Sequence, residues 1–343
     1  MNSSQCSFME TLLSNAPLRF ELPGGTESTT SFKAPAGAHY FIPYANHVFT
    51  EWPGGSYFEQ SVFQQGFGFC LLHFVVEKSI SFGVEAMADF NTLQFTLEGE
   101  TTALLSGHGF MTLSEGTYTS MYIPQGSHRV WFRPGQYAFF YLILSGEHLQ
   151  LLQEDHPHLQ TLITNILTAS KEGVMLERMV ISTTIHTLIN KVIELKLTGA
   201  QLKLALEEFV VKFVQAYNHD ILQRKEIGRE MPPEEYADFI KVYVMDNVTM
   251  LEATNINNLK KMFYTSERTL ERYFKRRSTQ SLRSYLRRLR LERALYMLLP
   301  GDLSIQDVAV QLGYKDAYTF SRQFSKYYGY SPKNAAKVFC NFK

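Results

Sequence analysis

Hydrophobic and polar positions alternate with two different periods along this chain, and the change of period divides it. From about Ala38 to Ser145 short stretches rich in Phe, Tyr, Val and Thr are interrupted every eight to twelve residues by turn formers. Gly54-Gly55, Gly66, Glu98-Gly99-Glu100, Ser106-Gly107 and Pro134-Gly135 are such breaks, the rhythm of an all-β barrel or sandwich. Leu93 to Leu97 alternates apolar and polar residues, which predicts a strand with one buried face. Beyond Gly146 the spacing becomes three and four, predicting helices over Leu159 to Leu167, Met175 to Leu197 and Leu202 to Ile221, with Gly173 and Gly199 between them. The expected organisation is a loose tail at 1–37, a β-barrel at 38–146, a helical connector or dimerisation region at 147–223, a polar linker at 224–235 and an all-α domain at 236–343. That makes the chain α+β.

The all-α domain contains a repeated design. Ile256 to Arg277 predicts a short helix, a turn at Tyr264-Thr265, an N-cap at Ser266 and a second helix. In that second helix Leu270 and Phe274 fall on an inner face, whereas Arg268, Glu271, Arg272 and Lys275 recur at i, i+3, i+4 and i+7 on another. About fifty residues on, Ser304 to Tyr328 repeats it. Ile305, Val308, Ala309 and Leu312 form the inner stripe, Gly313 opens the turn, Phe320 and Phe324 match the earlier pair, and Thr319, Arg322, Gln323 and Lys326 make the outer face. Between the units, Leu282 to Leu299 predicts a long Arg-rich helix able to hold two outer helices about one DNA turn apart, roughly 34 Å.

Charge sharpens this picture. The net charge of zero conceals 19 Lys and Arg against 11 Asp and Glu in residues 231–343, net +8, and therefore net −8 in the remainder. An arginine-bearing helix face on a basic domain suits a major groove, where Arg bonds two acceptors on guanine and Lys neutralises phosphates. The bland alternative is a solvated face, with Arg322 in a local ion pair.

The residues of the second unit carry a family resemblance. Tyr285 to Leu299, then Leu303 to Pro332, resemble the AraC/XylS signature, with Gly313, Tyr314, Phe320, Ser321, Arg322, Phe324, Gly329, Ser331 and Pro332 in its places. The resemblance implies promoter binding through both units and activation by touching RNA polymerase. It implies base-facing roles for Arg268, Glu271 and Arg272 and for Ala317, Tyr318, Thr319 and Arg322. Thr269, Lys275, Arg276, Gln323 and Lys326 complete the expected DNA-contacting set. Lys260 and Thr265 depart from the small and the apolar residue usual at their positions, and Ala335-Ala336 replaces an aromatic-Arg ending.

In the β-rich part, Tyr122 to Val130 resembles a turn of the cupin-like effector domains of that family. A metal-binding cupin needs paired histidines and a nearby glutamate; His73, His108 and His128 stand apart, so no metal or other cofactor is expected. Phe95, Tyr122 and His128 are candidates to line a small-molecule pocket, the alternative being plain core for the aromatics and a hydrogen-bonded structural role for the histidine. Three scattered cysteines, Cys6, Cys70 and Cys340, suggest neither a disulfide framework nor zinc. No nucleophile elbow, P-loop or Rossmann glycine pattern is present, which argues against an enzyme. No signal-like start occurs and the longest apolar run is Ala138 to Leu144, so a cytoplasmic protein is expected. The reading is a cytoplasmic, homodimeric transcription regulator, an activator with a possible effector or protein partner. A metal-dependent enzyme with a regulatory tail and a DNA-coating protein reading charge alone are the competing classes.

Overall fold

The computed structural model describes residues 17–35, 38, 40–151, 156–226, 237, 240, 241, 243, 244, 255–262, 265–276, 278, 280–299 and 303–335. Residues 1–16 of the expected tail and 227–235 of the expected linker lie outside them, as does Cys340. The chain forms two compact units, Met1–Arg224 and Lys225–Lys343.

In the first unit β1 (Leu18–Glu21), β6 (Ile80–Ala86), β11 (Gly126–Phe132), β8 (Thr101–Leu105) and β9 (Gly109–Leu113) make one antiparallel sheet in that order. The second, larger sheet is built around β10 (Thr117–Ile123), β7 (Phe90–Glu98), β12 (Gly135–Leu144), β5 (Phe67–Val76), β4 (Gly55–Gln64), β3 (Asn46–Trp52) and β2 (Thr29–Ser31). The sheets face each other across an aromatic core, in which Phe74 of one stacks on Phe132 of the other at 4.7 Å between ring centroids. The turn between β7 and β8 needs glycine. Gly99 has φ +76°, and a Cβ there would stand 2.5 Å from the Tyr137 ring.

The segment expected as a loose tail contributes two strands: β2 pairs with β3, and β1 pairs with β6, where Phe20 packs edge-on against Phe74. Its Leu-Arg-Phe-Glu alternation is a strand signal too short to outweigh the polar residues around it.

Helices cover the outer face of the large sheet. These are α1 (Gly146–Leu151), α2 (Gln160–Leu167), α3 (Thr183–Ile193) and α4 (Gly199–Glu226). Phe209, Phe213 and Tyr217 of α4 pack with Phe69, Phe95, Tyr118 and Phe140 of the sheet. The Tyr118 hydroxyl donates to Asp220, and the Tyr217 hydroxyl donates to the Glu177 carbonyl at 2.8 Å. A continuous helix from Met175 to Leu197 does not form. Val174–Met175 and Met179–Val180, β13 and β14, satisfy the edge of β10, and the helix begins only after Ser182, whose side chain accepts from the Ile185 N–H.

This layering changes the meaning of β7. Leu93 and Phe95 face the helices, yet Thr92, Gln94 and Thr96 on the opposite face are also buried. The strand has two buried faces because its apolar side meets the helical layer, while the polar side that alternation assigned to solvent is covered by the opposing sheet. Thr92 donates to the Leu142 carbonyl and Gln94 to Thr96, both at 3.0 Å, as buried polar groups require.

In its described residues the second unit is helical: α5 (Ile256–Met262), α6 (Glu267–Arg276), α7 (Leu282–Leu298), α8 (Ile305–Gln311) and α9 (Ala317–Tyr328). Ala237, Ile240 and Val244, spaced three and four apart, join Leu259, Leu270 and Phe274 in one core with the first half of α7. Val308, Ala309, Leu312, Phe320 and Phe324 form another with its second half. Helix α7 is thus shared by both cores, and it joins two helix-turn-helix units.

Candidate nucleic-acid interface

Local chemistry sets each outer helix. Ser266 accepts from the Thr269 N–H at 3.2 Å and starts α6. In the second unit Ser304 and Asp307 form a reciprocal capping box at the start of α8, and Gly313 takes φ +74° at the turn. Asp316 caps α9, accepting from the Thr319 N–H at 2.6 Å, and this bond holds its carboxyl below the ordinary range. Gly329, left-handed, ends α9.

Burial then sorts the expected contacts. On α6, Leu270 and Phe274 are fully buried, whereas Arg268, Arg272, Lys275 and Arg276 are exposed. The Arg272 and Arg276 guanidinium groups lie 4.9 and 5.3 Å from the Tyr273 ring centre, which braces both long side chains. On α9, Phe320 and Phe324 are buried, Arg322 and Lys326 are exposed, and Tyr318 is 77% exposed, an unusual state for a large aromatic. Thr269, Ala317, Thr319 and Gln323 are half-buried on the flanks of these faces.

Glu271 behaves differently from its neighbours. Its carboxylate accepts from the Leu282 N–H at 3.0 Å and the Arg283 N–H at 3.3 Å, the first two residues of α7. One turn earlier, Glu267 accepts from the Arg283 Nε at 2.7 Å. The two acids, four residues apart, tie α6 to the positive end of α7. Spacing put Glu271 on the arginine face; a backbone partner eleven residues away draws its side chain to the helix junction instead. Nothing local signals this engagement beyond the i, i+4 pair of acids.

The same holds across the domain. Glu292 of α7 is buried, accepting from Arg288 at 3.4 Å and from the Tyr327 hydroxyl at 3.0 Å. Every acid among the described residues 255–335, namely Glu267, Glu271, Glu292, Asp307 and Asp316, is therefore engaged at a helix end or with a neighbouring cation. What remains exposed on α6 and α9 is cationic, aromatic or neutral, and the field seen from outside is more positive than the formal charge.

The departures noted in the sequence are accommodated. Lys260 reaches Asn257, Thr265 is half-buried, and Ala335 is fully buried in the second core; Ala336 is outside the described residues.

The three residues proposed to line a pocket are not brought together. Phe95 and Tyr122 face the helical layer, where Phe95 stacks on Tyr118 at 4.9 Å and the Tyr122 hydroxyl donates to the Ser170 carbonyl. His128 lines an apolar cavity of about 60 Å³ between the sheets, with Leu72, Phe74, Met121 and Phe139. Both its ring nitrogens are engaged: Nδ1 accepts from the Ser106 N–H at 3.1 Å and Nε2 donates to the Pro124 carbonyl at 2.9 Å. Burial lowers its pKa, so the ring is neutral and structural. Among the described residues no three His, Cys, Asp or Glu side chains gather as a metal site, and no helix is long and apolar enough to cross a membrane.

A family profile described as a helix-turn-helix domain matches residues 259–337. The Msm operon regulatory protein of Streptococcus mutans is 29% identical over 86 residues, covering 25% of this chain and 31% of that protein. The HTH-type transcriptional activator RhaS of Escherichia coli is 31% identical over 83 residues, covering 24% of this chain and 30% of that protein. The chain thus spans under a third of these relatives' length. The crystal structure of the C-terminal domain of the response regulator yesN from Fusobacterium nucleatum is similar at 26% identity over 29% of this chain and 95% of that one, with a TM-score of 0.27. Over its C-terminal helix-turn-helix domain the chain is similar to these transcription regulators, in keeping with the AraC/XylS resemblance of its sequence.

Proposed function

We propose that the protein is a sequence-specific transcription regulator that inserts α6 and α9 into successive major grooves. The observation that carries this reading is the two capped helix-turn-helix units on one shared helix, with every described acid of residues 255–335 engaged at a helix end or with a neighbouring cation and Arg268, Arg272, Lys275, Arg276, Arg322 and Lys326 left exposed. Arg268, Arg272, Tyr318 and Arg322 read bases, with Thr269, Ala317 and Thr319 closing the contact at the helix starts; Glu271 holds the first unit to α7. Activation through RNA polymerase is the proposed direction, supported by the printed role of the RhaS relatives. The regulatory input enters through the cavity between the sheets, whose apolar lining suits a small apolar effector. A binding role is proposed over catalysis in keeping with the regulator relatives, and the cytoplasm is the proposed location. A second copy of the chain pairs through α4, on which Leu204, Val211 and Leu222 are exposed at spacings of 7 and 11 and so share one face. Leu204→Glu with Leu222→Glu is expected to turn a dimer into a monomer in sedimentation.

The deciding experiment is capture of genomic DNA fragments by the purified chain at two salt concentrations, followed by sequencing. A few enriched promoters with paired half-sites support the reading; even, salt-labile retention overturns sequence specificity. On a captured site Arg272→Ala and Arg322→Ala are each expected to weaken binding by about 1–3 kcal/mol while relaxing base preference at one position.

A further inference from the structure

Beside the outer helix faces, a groove forms where α7 packs on α9. A cleft of about 300 Å³ opens there, lined by Ser284, Arg287 and Arg288 of α7 and by Gln323, Lys326 and Tyr327 of α9. On α7 the spacing i, i+3 and i+4 keeps its three residues on the side toward α9. On α9, Gln323 and Lys326 are one turn from Thr319 and Arg322, so the cleft is continuous with the base-reading face.

Its charge is one-sided. Arg287 and Lys326 are exposed, and no acid lines the cleft. The acid nearest in sequence to the lining residues of α7, Glu292, is held behind the wall by Arg288 and the Tyr327 hydroxyl. That buried network links α7 to α9 and fixes the walls before any ligand arrives. Shape matters as well. Base edges deep in a groove are read by a projecting helix, whereas a concave cleft flanked by cations receives the convex sugar-phosphate strand.

We propose that this cleft seats a backbone phosphate of the DNA between the two half-sites, with Arg287 and Lys326 as charged contacts and Ser284 and Gln323 as hydrogen-bond donors. Lys326 and Gln323 accordingly position the second unit on the duplex, and Arg287 and Ser284, which no spacing argument singled out, join the interface. The inference rests on the DNA-binding reading and deepens it.

The test is fluorescence anisotropy of the full chain on a random-sequence duplex over a salt series. Arg287→Gln and Lys326→Gln are each expected to lower the slope of log affinity against log salt by about 0.9, the release of one phosphate's counterions, and Lys326→Arg to restore it. Both variants weaken random and captured target duplexes by the same factor, in contrast to Arg322→Ala, which loses its advantage on the target alone. Unchanged slopes in both variants, beside a wild type that binds, overturn the cleft and leave the DNA reading standing; a wild type that binds no duplex overturns both. A calorimetric arm with ATP separates a free anion from the strand. ATP binding that Arg287→Gln abolishes, with the DNA slope untouched, names a soluble nucleotide as the occupant and overturns the proposal.

Discussion

One carboxylate of the β-rich unit contrasts with those described in the helical unit. In the β-rich unit Glu59 of β4 shares its face with Tyr57, whose ring packs on Phe74 between the sheets, and burial without an ion pair pushes its carboxyl up to about 7. In the helical unit each described acid between 255 and 335 is engaged at a helix end or with a neighbouring cation. The lesson is that a DNA-facing surface is made as much by where its acids are held as by how many bases it carries. A carboxylate bonded to backbone N–H groups stabilises the scaffold and stops repelling phosphate.

That comparison breaks most severely at Glu292. Glu292→Ala removes the acid shared by Arg288 and Tyr327 and is expected to destabilise the helical unit by about 3 kcal/mol, read as a lower urea midpoint. A variant within about 0.5 kcal/mol of wild type would mean the network is decorative.

Glu59 is the next largest, with opposite sign. Its raised value means that the folded chain keeps a proton that the unfolded chain has released between the ordinary glutamate range and about 7. Stability therefore falls as pH rises through that window and levels off above it. Glu59→Gln is expected to flatten this dependence and, above neutrality, to exceed wild type by roughly 2 kcal/mol after allowance for its partial exposure. Parallel pH curves for the two proteins in thermal melts would remove Glu59 from the account.

Glu271→Ala uncaps α7 and is expected to cost about 1–2 kcal/mol. Its effect on DNA affinity separates the two roles given to this residue. Loss of base preference at a single position would return Glu271 to the reading face; an equal loss on all sequences fits a cap. The smallest effect is Ser304→Ala at the capping box of α8, about 1 kcal/mol in stability with specificity retained.

How much was legible followed from the range of the determining interactions. Both helix-turn-helix units, the cap at Ser266, and the buried pairs Leu270–Phe274 and Phe320–Phe324 were readable because helix faces and caps are decided within four residues. The strand at Leu18–Glu21 and the pairing of Met175 and Met179 with β10 were hidden, since a partner strand distant in sequence creates them.

Phe95 and Tyr122 show the same limit at the level of a site. Alternation established that β7 has two faces, and only the layer of α2 to α4 decided which face is the cavity and which the helical core. Glu271 shows it for one side chain. By itself the sequence determined the local periods, the turns that need glycine, the unequal charge of the two parts and the presence of paired arginine-bearing helices. The tertiary structure alone decided which acids are neutralised, which strand faces meet, and that a cleft opens between α7 and α9, because each depends on groups brought together across the chain and not on any spacing along it.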